Sequence, residues 1–413
     1  MKNVITSFTI TLIFVCAFPI QLSADWNWHK RTYLINCKRD QASGFSIGNN
    51  GYLCCGSDTN NLTLNDLWEY NASSDTWSQK ANLIGGPRRS AFAFAINGLG
   101  YVGGGIADSN TTGTLYGDFY AYDPITNTWT PKANYSASGN NVYRSAATAC
   151  NGKGYLIGGR NSWSSNSSIS EYDPITNAWT LKAPFPGLPT SSGGRDGGAA
   201  FATFNKVYFG TGRDDSFFER DFWEFDPSTN TWTRKKDFPG SGRFCGVGFN
   251  INNLGFMGLG TDGGFLKDFY YYDASTDQWN FANNFDGAGR RNAAAFVIGD
   301  SAYVTTGKSA GGTKQDLYVM YYENIEPTSI EDSKLIAKIN IYPTLLNEII
   351  SQIRIEGHDE SKSHIIDIYA ADGTLVGSSI LHVGNHHFTT ELNHAGLYFV
   401  RLDGVKIGSI TKI

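Results

Sequence analysis

Six arginines recur at matched places along this chain of 413 residues: Arg39, Arg88, Arg144, Arg195, Arg243 and Arg290. Each stands ahead of a glycine-rich run that ends at Gly56, Gly105, Gly159, Gly212, Gly260 or Gly307; the separation is 17 residues in five units and 15 in the Arg144 unit. A guanidinium offers a planar fork of donors suited to carboxylate or sulfate, so six together would make an anion-recognition site. Acids between the repeated positions, such as Asp108, Asp196, Asp214, Asp215 and Asp262, could move protons beside them. Six copies in register argue equally for a structural task, such as bonding to the carbonyls of neighbouring loops. Specificity then falls to positions that break the repeat: Arg160, Trp163, Arg213, Asp214, Asp215, Phe217, Phe218 and Asp262. Trp163 and the Phe217-Phe218 pair are sugar-ring platforms or apolar anchors if exposed, and core if not.

Other chemistry finds few residues. Between Lys30 and Gly357 there is no histidine, so a site in this stretch has only Asp, Glu, Lys, Tyr and Cys to titrate. The string Gly44-Phe45-Ser46-Ile47-Gly48 matches a hydrolase pattern but falls on a strand, without the strand-to-helix elbow such a serine needs. No zinc spacing or phosphate-binding glycine loop occurs, and His386-His387 lacks the neighbours of a metal site. The formal net charge of −5 gives no footprint for nucleic acid. No cofactor and no metal is expected.

These residues are positioned by a unit of about 50 residues that recurs six times. Its second half reads D-F-Y-A-Y-D-P-I-T-N-T-W-T at Asp118–Thr130, with variants at Ser168–Thr180, Asp221–Thr233 and Asp268–Asn280. Each unit predicts four short strands: a small-residue strand, a turn such as Asn97-Gly98, a Gly-Tyr strand, an aromatic strand and a tryptophan strand. Aromatics in register read as packing between units. The last unit lacks its tryptophan, and Trp28 supplies one: it precedes Arg39 by 11 residues, as Trp77 precedes Arg88. An N-terminal strand would thus close the ring and leave no sheet edge open. The loops around the arginines and those between the second and third strands should open on one face.

The ends differ from the ring. Residues 1–24 read as a signal peptide, and 25–324 as the ring. A linker follows at 325–337, and alternating strands at 338–413 predict a small β-sandwich. Five cysteines remain after residue 24, an odd number that argues against a disulfide framework and for buried free thiols, Cys54-Cys55 among them.

Double glycine, tyrosine and tryptophan in that order resemble the kelch repeat, which implies an all-β fold: a six-bladed kelch-type β-propeller followed by the small C-terminal β-sandwich. Ile341-Tyr342-Pro343, Asp372-Gly373, Gly396–Val400 and Thr411-Lys412-Ile413 resemble the C-terminal sorting domain of the type IX secretion system of Bacteroidetes. That resemblance implies the secretion machinery as a partner, and a secreted or outer-membrane-surface location. Kelch propellers include copper radical oxidases, sialic acid epimerases and binding modules; the lack of imidazole in the ring argues against the first. The expectation is a monomeric, non-enzymatic binding module for polysaccharide or a surface protein. A cofactor-free carbohydrate epimerase or lyase with an Arg/Asp mouth is the alternative.

Overall fold

The computed structural model describes residues 25–34, 38–107, 113–135, 141–187 and 193–323, together with the backbone of seven strands between 338 and 412. The expected signal peptide, the linker, Cys37 and Asp108 lie outside the described residues. Six four-stranded antiparallel sheets form the blades of a propeller. Blade 1 runs Ser43–Ile47, Asn50–Cys54, Leu67–Asn71, Thr76–Lys80, and blades 2 to 5 repeat that order. Blade 6 takes Ala294–Ile298, Ser301–Thr305 and Leu317–Glu323 from its own unit and Asp25–Arg31 from the other end of the ring. Trp28 pairs with Met320 in that added strand and is buried against Phe269 and Phe285. The fold is a six-bladed kelch-type β-propeller.

Why the repeat uses these residues is visible between blades. A Cβ on Gly255 would lie 1.9 Å from the Phe201 ring of the preceding blade, and one on Gly51 would lie 2.0 Å from Phe296. The glycine of the Gly-Tyr strand is therefore a socket for a neighbouring phenylalanine. The third-strand tyrosines donate to the turn that follows, as Tyr122 Oη does to Asn127 Oδ1 at 2.9 Å. The same Oδ1 accepts the Ala81 N–H of the preceding blade at 2.9 Å. Asn127 adopts φ 52°, a left-handed conformation that asparagine and aspartate tolerate. Outer-strand indoles complete the seam, as Trp129 Nε1 does by donating to Ala81 O at 2.8 Å.

At the axis the blades are tied by a closed circle of backbone bonds. Ser90 N donates to Gln41 O, Arg144 N to Ser90 O, Gly197 N to Arg144 O and Cys245 N to Gly197 O. Asn292 N donates to Cys245 O and Gln41 N to Asn292 O, so the circle closes with N···O distances of 2.7–3.1 Å. All six residues hold φ between 54° and 61°. That region costs a non-glycine residue roughly 1–3 kcal/mol, and the belt bond that it permits offsets the cost.

Ala24–Glu323 forms one compact unit. Past it, Lys338–Ile341, Ile350–Glu356 and His387–Thr390 pair in one antiparallel sheet; Leu375–Leu381, His364–Ala370, Gly396–Leu402 and Val405–Lys412 pair in another. The expected β-sandwich goes further than these strand pairings.

Candidate functional site

Five of the six recurrent arginines are staples inside the blades. Arg39, Arg88, Arg195, Arg243 and Arg290 are 0–1% exposed. Each makes a bidentate pair with the aspartate that opens the third strand of its own unit: Asp66, Asp118, Asp221, Asp268 and Asp316 respectively, at 2.5–3.2 Å. Each also donates to the carbonyl sixteen residues on, as Arg195 Nη1 does to Thr211 O at 2.8 Å. Buried and paired in this way, these five guanidiniums present no surface to the mouth.

Arg144 is different, because its register is different. The backbone bond that joins Gly56 N to Arg88 O, and Gly159 N to Arg195 O, joins Gly105 N to Val142 O. Val142 therefore occupies the staple position of blade 3, and Ser168 stands where the other units have aspartate. Arg144 sits two residues later, on the axial belt, where other blades carry Gln41, Ser90, Gly197, Cys245 and Asn292. It is the one charged residue of that belt.

The belt forms the floor of a mouth. These six residues, with Ala42, Ala91, Ser145, Gly198, Gly246 and Ala293, line an axial pocket of about 110 Å³. A continuation of about 160 Å³ runs down the axis between alanines and glycines. Residues that follow the staple position stand above the floor, each bridged to the start of the loop between second and third strands: Tyr143 with Arg160, Asp196 with Arg213, Phe244 with Thr261, Arg291 with Lys308. Asp196 is fully buried, with Arg144 Nη1 3.7 Å from its Oδ2 and Arg213 Nε 3.6 Å from its Oδ1. The Phe244 ring lies beneath both guanidiniums, at 5.2 Å from Arg144 and 4.8 Å from Arg213. Across the ring, three blades away, Asp40 is also buried. Burial pushes its carboxyl above the ordinary range, while Asn292, Lys308, Gln41 and Arg89 pull the other way. Arg89, Arg144, Arg160, Arg213, Arg291 and Lys308 face three acids here, Asp40, Asp196 and Asp215, so the mouth is cationic on an acidic protein.

The repeat-breaking candidates divide between this mouth and its rim. Arg160 Nη1 donates to Asp215 Oδ1 at 2.7 Å. Ser165 donates to the same oxygen through its N–H (3.1 Å) and, at 3.2 Å, lies within reach through Oγ, which also stands 3.1 Å from Asp196 Oδ1. Burial raises the Asp215 carboxyl, but the bonds from Arg160 and Ser165 outweigh it and hold the group below its usual range. Asp214 is buried and accepts from the N–H groups of Ser216 and Phe217, which makes it a turn residue. Asp262 accepts from Gly264 N and Ser241 Oγ at the lip of blade 5; the Gly264 bond leads in keeping its carboxyl low. Trp163, Phe217 and Phe218 are exposed, and Phe218 also stacks on Phe244 with centroids 6.1 Å apart.

Asp40, Arg89, Tyr143, Phe244 and Arg291 belong to the mouth and were not among the expected site residues. The signal for them is their place directly after the staple position in five units and after Val142 in the third. Among the described residues no group of three or more His, Cys, Asp or Glu side chains could hold a metal ion.

Comparison with known proteins adds a chemical class. The family model described as Kelch motif matches residues 142–186, the blade that carries Arg144 and Arg160. The N-acetylneuraminate epimerase of Pasteurella multocida is 30% identical over 168 residues, 40% of this chain and 39% of that protein. The N-acetylneuraminate epimerase of Haemophilus influenzae is 28% identical over 211 residues, 51% of this chain and 49% of its own length. The chain thus spans less than half the length of these curated relatives. The solved structure of YjhT aligns with a TM-score of 0.59 and 18% identity, covering 70% of this chain and 97% of that one, a likeness of fold.

These likenesses correct three expectations. Relatives that are sugar epimerases contradict a non-enzymatic module engaging polysaccharide or a surface protein. They equally contradict the reading of the chain as not an enzyme. The secretion-machinery partner, and the signal, surface and sorting terms attached to it, find no support among them. The absence of histidine bears only on imidazole chemistry in the ring and leaves carboxylate acid–base chemistry available.

Proposed function

We propose that this protein epimerises an acidic sugar of the N-acetylneuraminate type in the propeller mouth. The observation that carries the reading is Arg144, displaced from the staple set onto the axial floor beside buried Asp196, in a chain similar to N-acetylneuraminate epimerases. An acidic keto-sugar offers a carboxylate at the carbon next to its anomeric centre. The Arg144 fork on the floor suits that carboxylate, and the mouth's excess of cations would draw it in.

The reaction needs only proton handling. At a cyclic hemiketal, a base removes the proton of the anomeric hydroxyl, the ring C–O bond breaks, and the ring oxygen takes both electrons and a proton. Rotation presents the other face of the ketone, and the ring oxygen adds back to give the opposite configuration. Asp196 and Asp40, on opposite sides of the mouth, are the pair assigned to these transfers. Asp40, with its carboxyl pushed up by burial, is the proton donor, and Asp196 the acceptor. In the tail, the two sheets between 338 and 412 are proposed to pack as a β-sandwich.

The test is the relaxation of N-acetylneuraminate prepared away from its anomeric equilibrium, followed by NMR. Acceleration in proportion to protein, with no effect on a neutral hexose, supports the reading. Relaxation at the buffer rate in the presence of folded protein sinks it.

A further inference from the structure

We infer that the aromatic rim of blades 3 and 4, Trp163 and Phe217, receives a second sugar unit, so that the mouth takes the reducing end of an acidic oligosaccharide. The inference rests on the epimerase reading and deepens it.

Trp163 is 87% exposed and Phe217 69%, a large apolar area to leave in water. Neither ring is on a loose loop. Asn161 Oδ1 accepts from Trp163 N at 2.8 Å and from Ser164 N at 2.9 Å, and Arg160 Nη2 donates to Trp163 O at 3.4 Å. Asp214 Oδ1 accepts from Phe217 N at 2.6 Å, and Asp214 N donates to Phe217 O at 3.2 Å. The two loops are joined to each other through Asp215, which accepts from Arg160 and Ser165. A backbone braced in advance beneath both rings saves part of the ordering cost that binding would otherwise incur.

The rim is continuous with the mouth. Arg160 and Asp215 brace the loops and also stand in the mouth, and Phe218 stacks on Phe244, which underlies Arg144 and Arg213. An aromatic and cationic path therefore runs from the tip at Phe217 to the floor. Arg144 lines the floor pocket, so it would hold the carboxylate of the first unit there. The body of the sugar must rise above the floor, and a further unit comes level with the rings. Direction follows from the chemistry: ring opening needs a free anomeric hydroxyl, so a second unit hangs from the far side of the first. The C–H face of a pyranose would lie on Trp163 or Phe217, with Arg160 left to pair with a carboxylate or hydroxyl.

The experiment compares kcat/KM of the full chain for N-acetylneuraminate and for the disaccharide of two such units, in wild type, Trp163→Ala and Phe217→Ala. The expected result is a preference for the disaccharide of about tenfold in wild type, the size of one good ring contact. The disaccharide-to-monosaccharide ratio should fall toward one in either variant, through KM for the disaccharide. Equal kcat/KM for both sugars in wild type overturns the inference while leaving the epimerase reading standing, as does a ratio unchanged by both substitutions. Turnover of neither sugar overturns the epimerase reading and this one with it. Self-association of the wild type that Trp163→Ala abolishes, with the sugar ratio unmoved, assigns the rim to a second copy and also overturns it.

Discussion

Arg144 reaches from the belt of blade 3 to within 3.7 Å of Asp196 Oδ2 in blade 4, and no hydrogen bond completes that oxygen's shell. Its sequence counterpart Arg39 makes two bonds of 2.6 and 2.7 Å to Asp66 and is fully buried. The two arginines therefore answer differently to removal. Arg39→Met leaves a buried carboxylate without its partner and should cost roughly 3–5 kcal/mol. Arg144→Met leaves buried Asp196 its contacts with Arg213 and Ser165 and should cost less, roughly 1–2 kcal/mol. Urea unfolding of both variants checks the contrast, and equal losses would return Arg144 to the staple set.

Most of the ring was legible in the chain. The period, the four strands per unit and the closure by Trp28 all follow from marker spacing, because each blade repeats one packing problem. Arg144 was legible too, in two ways: its 15-residue offset, and Ser168 standing where Asp66, Asp118, Asp221, Asp268 and Asp316 stand elsewhere. An arginine without its aspartate cannot be the same staple. The belt of backbone bonds was not legible, since Gln41, Ser90, Arg144, Gly197, Cys245 and Asn292 share no side-chain chemistry and only a common φ unites them. The mouth positions of Asp40 and Phe244 depend on that belt, which is why they escaped notice.

Asp40 links stability to pH. Burial raises its carboxyl in the folded state, against help to the charged form from Asn292 and Lys308. The folded protein then holds that proton more tightly than the unfolded chain, so stability from this group falls as pH rises from the unfolded value, about 3.9, through the raised folded one. Asp40→Asn should match wild type at low pH and become the more stable protein above that window. It should also lose turnover, as the assigned proton donor. Thermal unfolding across acid to neutral pH tests this; a stability difference that does not change with pH contradicts it.

Asp215 braces two loops at once, so its loss should be felt in both. Asp215→Ala should speed amide hydrogen exchange in residues 160–168 and 213–220 while exchange in the blade strands stays unchanged. Exchange that rises in only one of the two loops would show that they are held independently.

The thiols should be inert in the native protein. Cys54 and Cys55 are fully buried, and burial pushes Cys150 up to about 11 and Cys245 up to about 12, far from the thiolate that alkylation needs. Iodoacetamide at mildly alkaline pH should leave Cys54, Cys55, Cys150 and Cys245 unmodified until denaturant is added, as peptide mass spectrometry would show. Native labelling of Cys245, which lines the floor pocket, would mean that the floor is more open than the structure has it.

The central claim is that the floor of the mouth carries the chemistry, and saturation transfer between the two anomers of N-acetylneuraminate at equilibrium tests it most directly. Wild type should transfer saturation from one anomer to the other at substoichiometric concentration, and Asp196→Asn, folded by its unfolding curve, should reduce the transfer to the level of buffer. Undiminished transfer in Asp196→Asn, or none in wild type, would contradict the account.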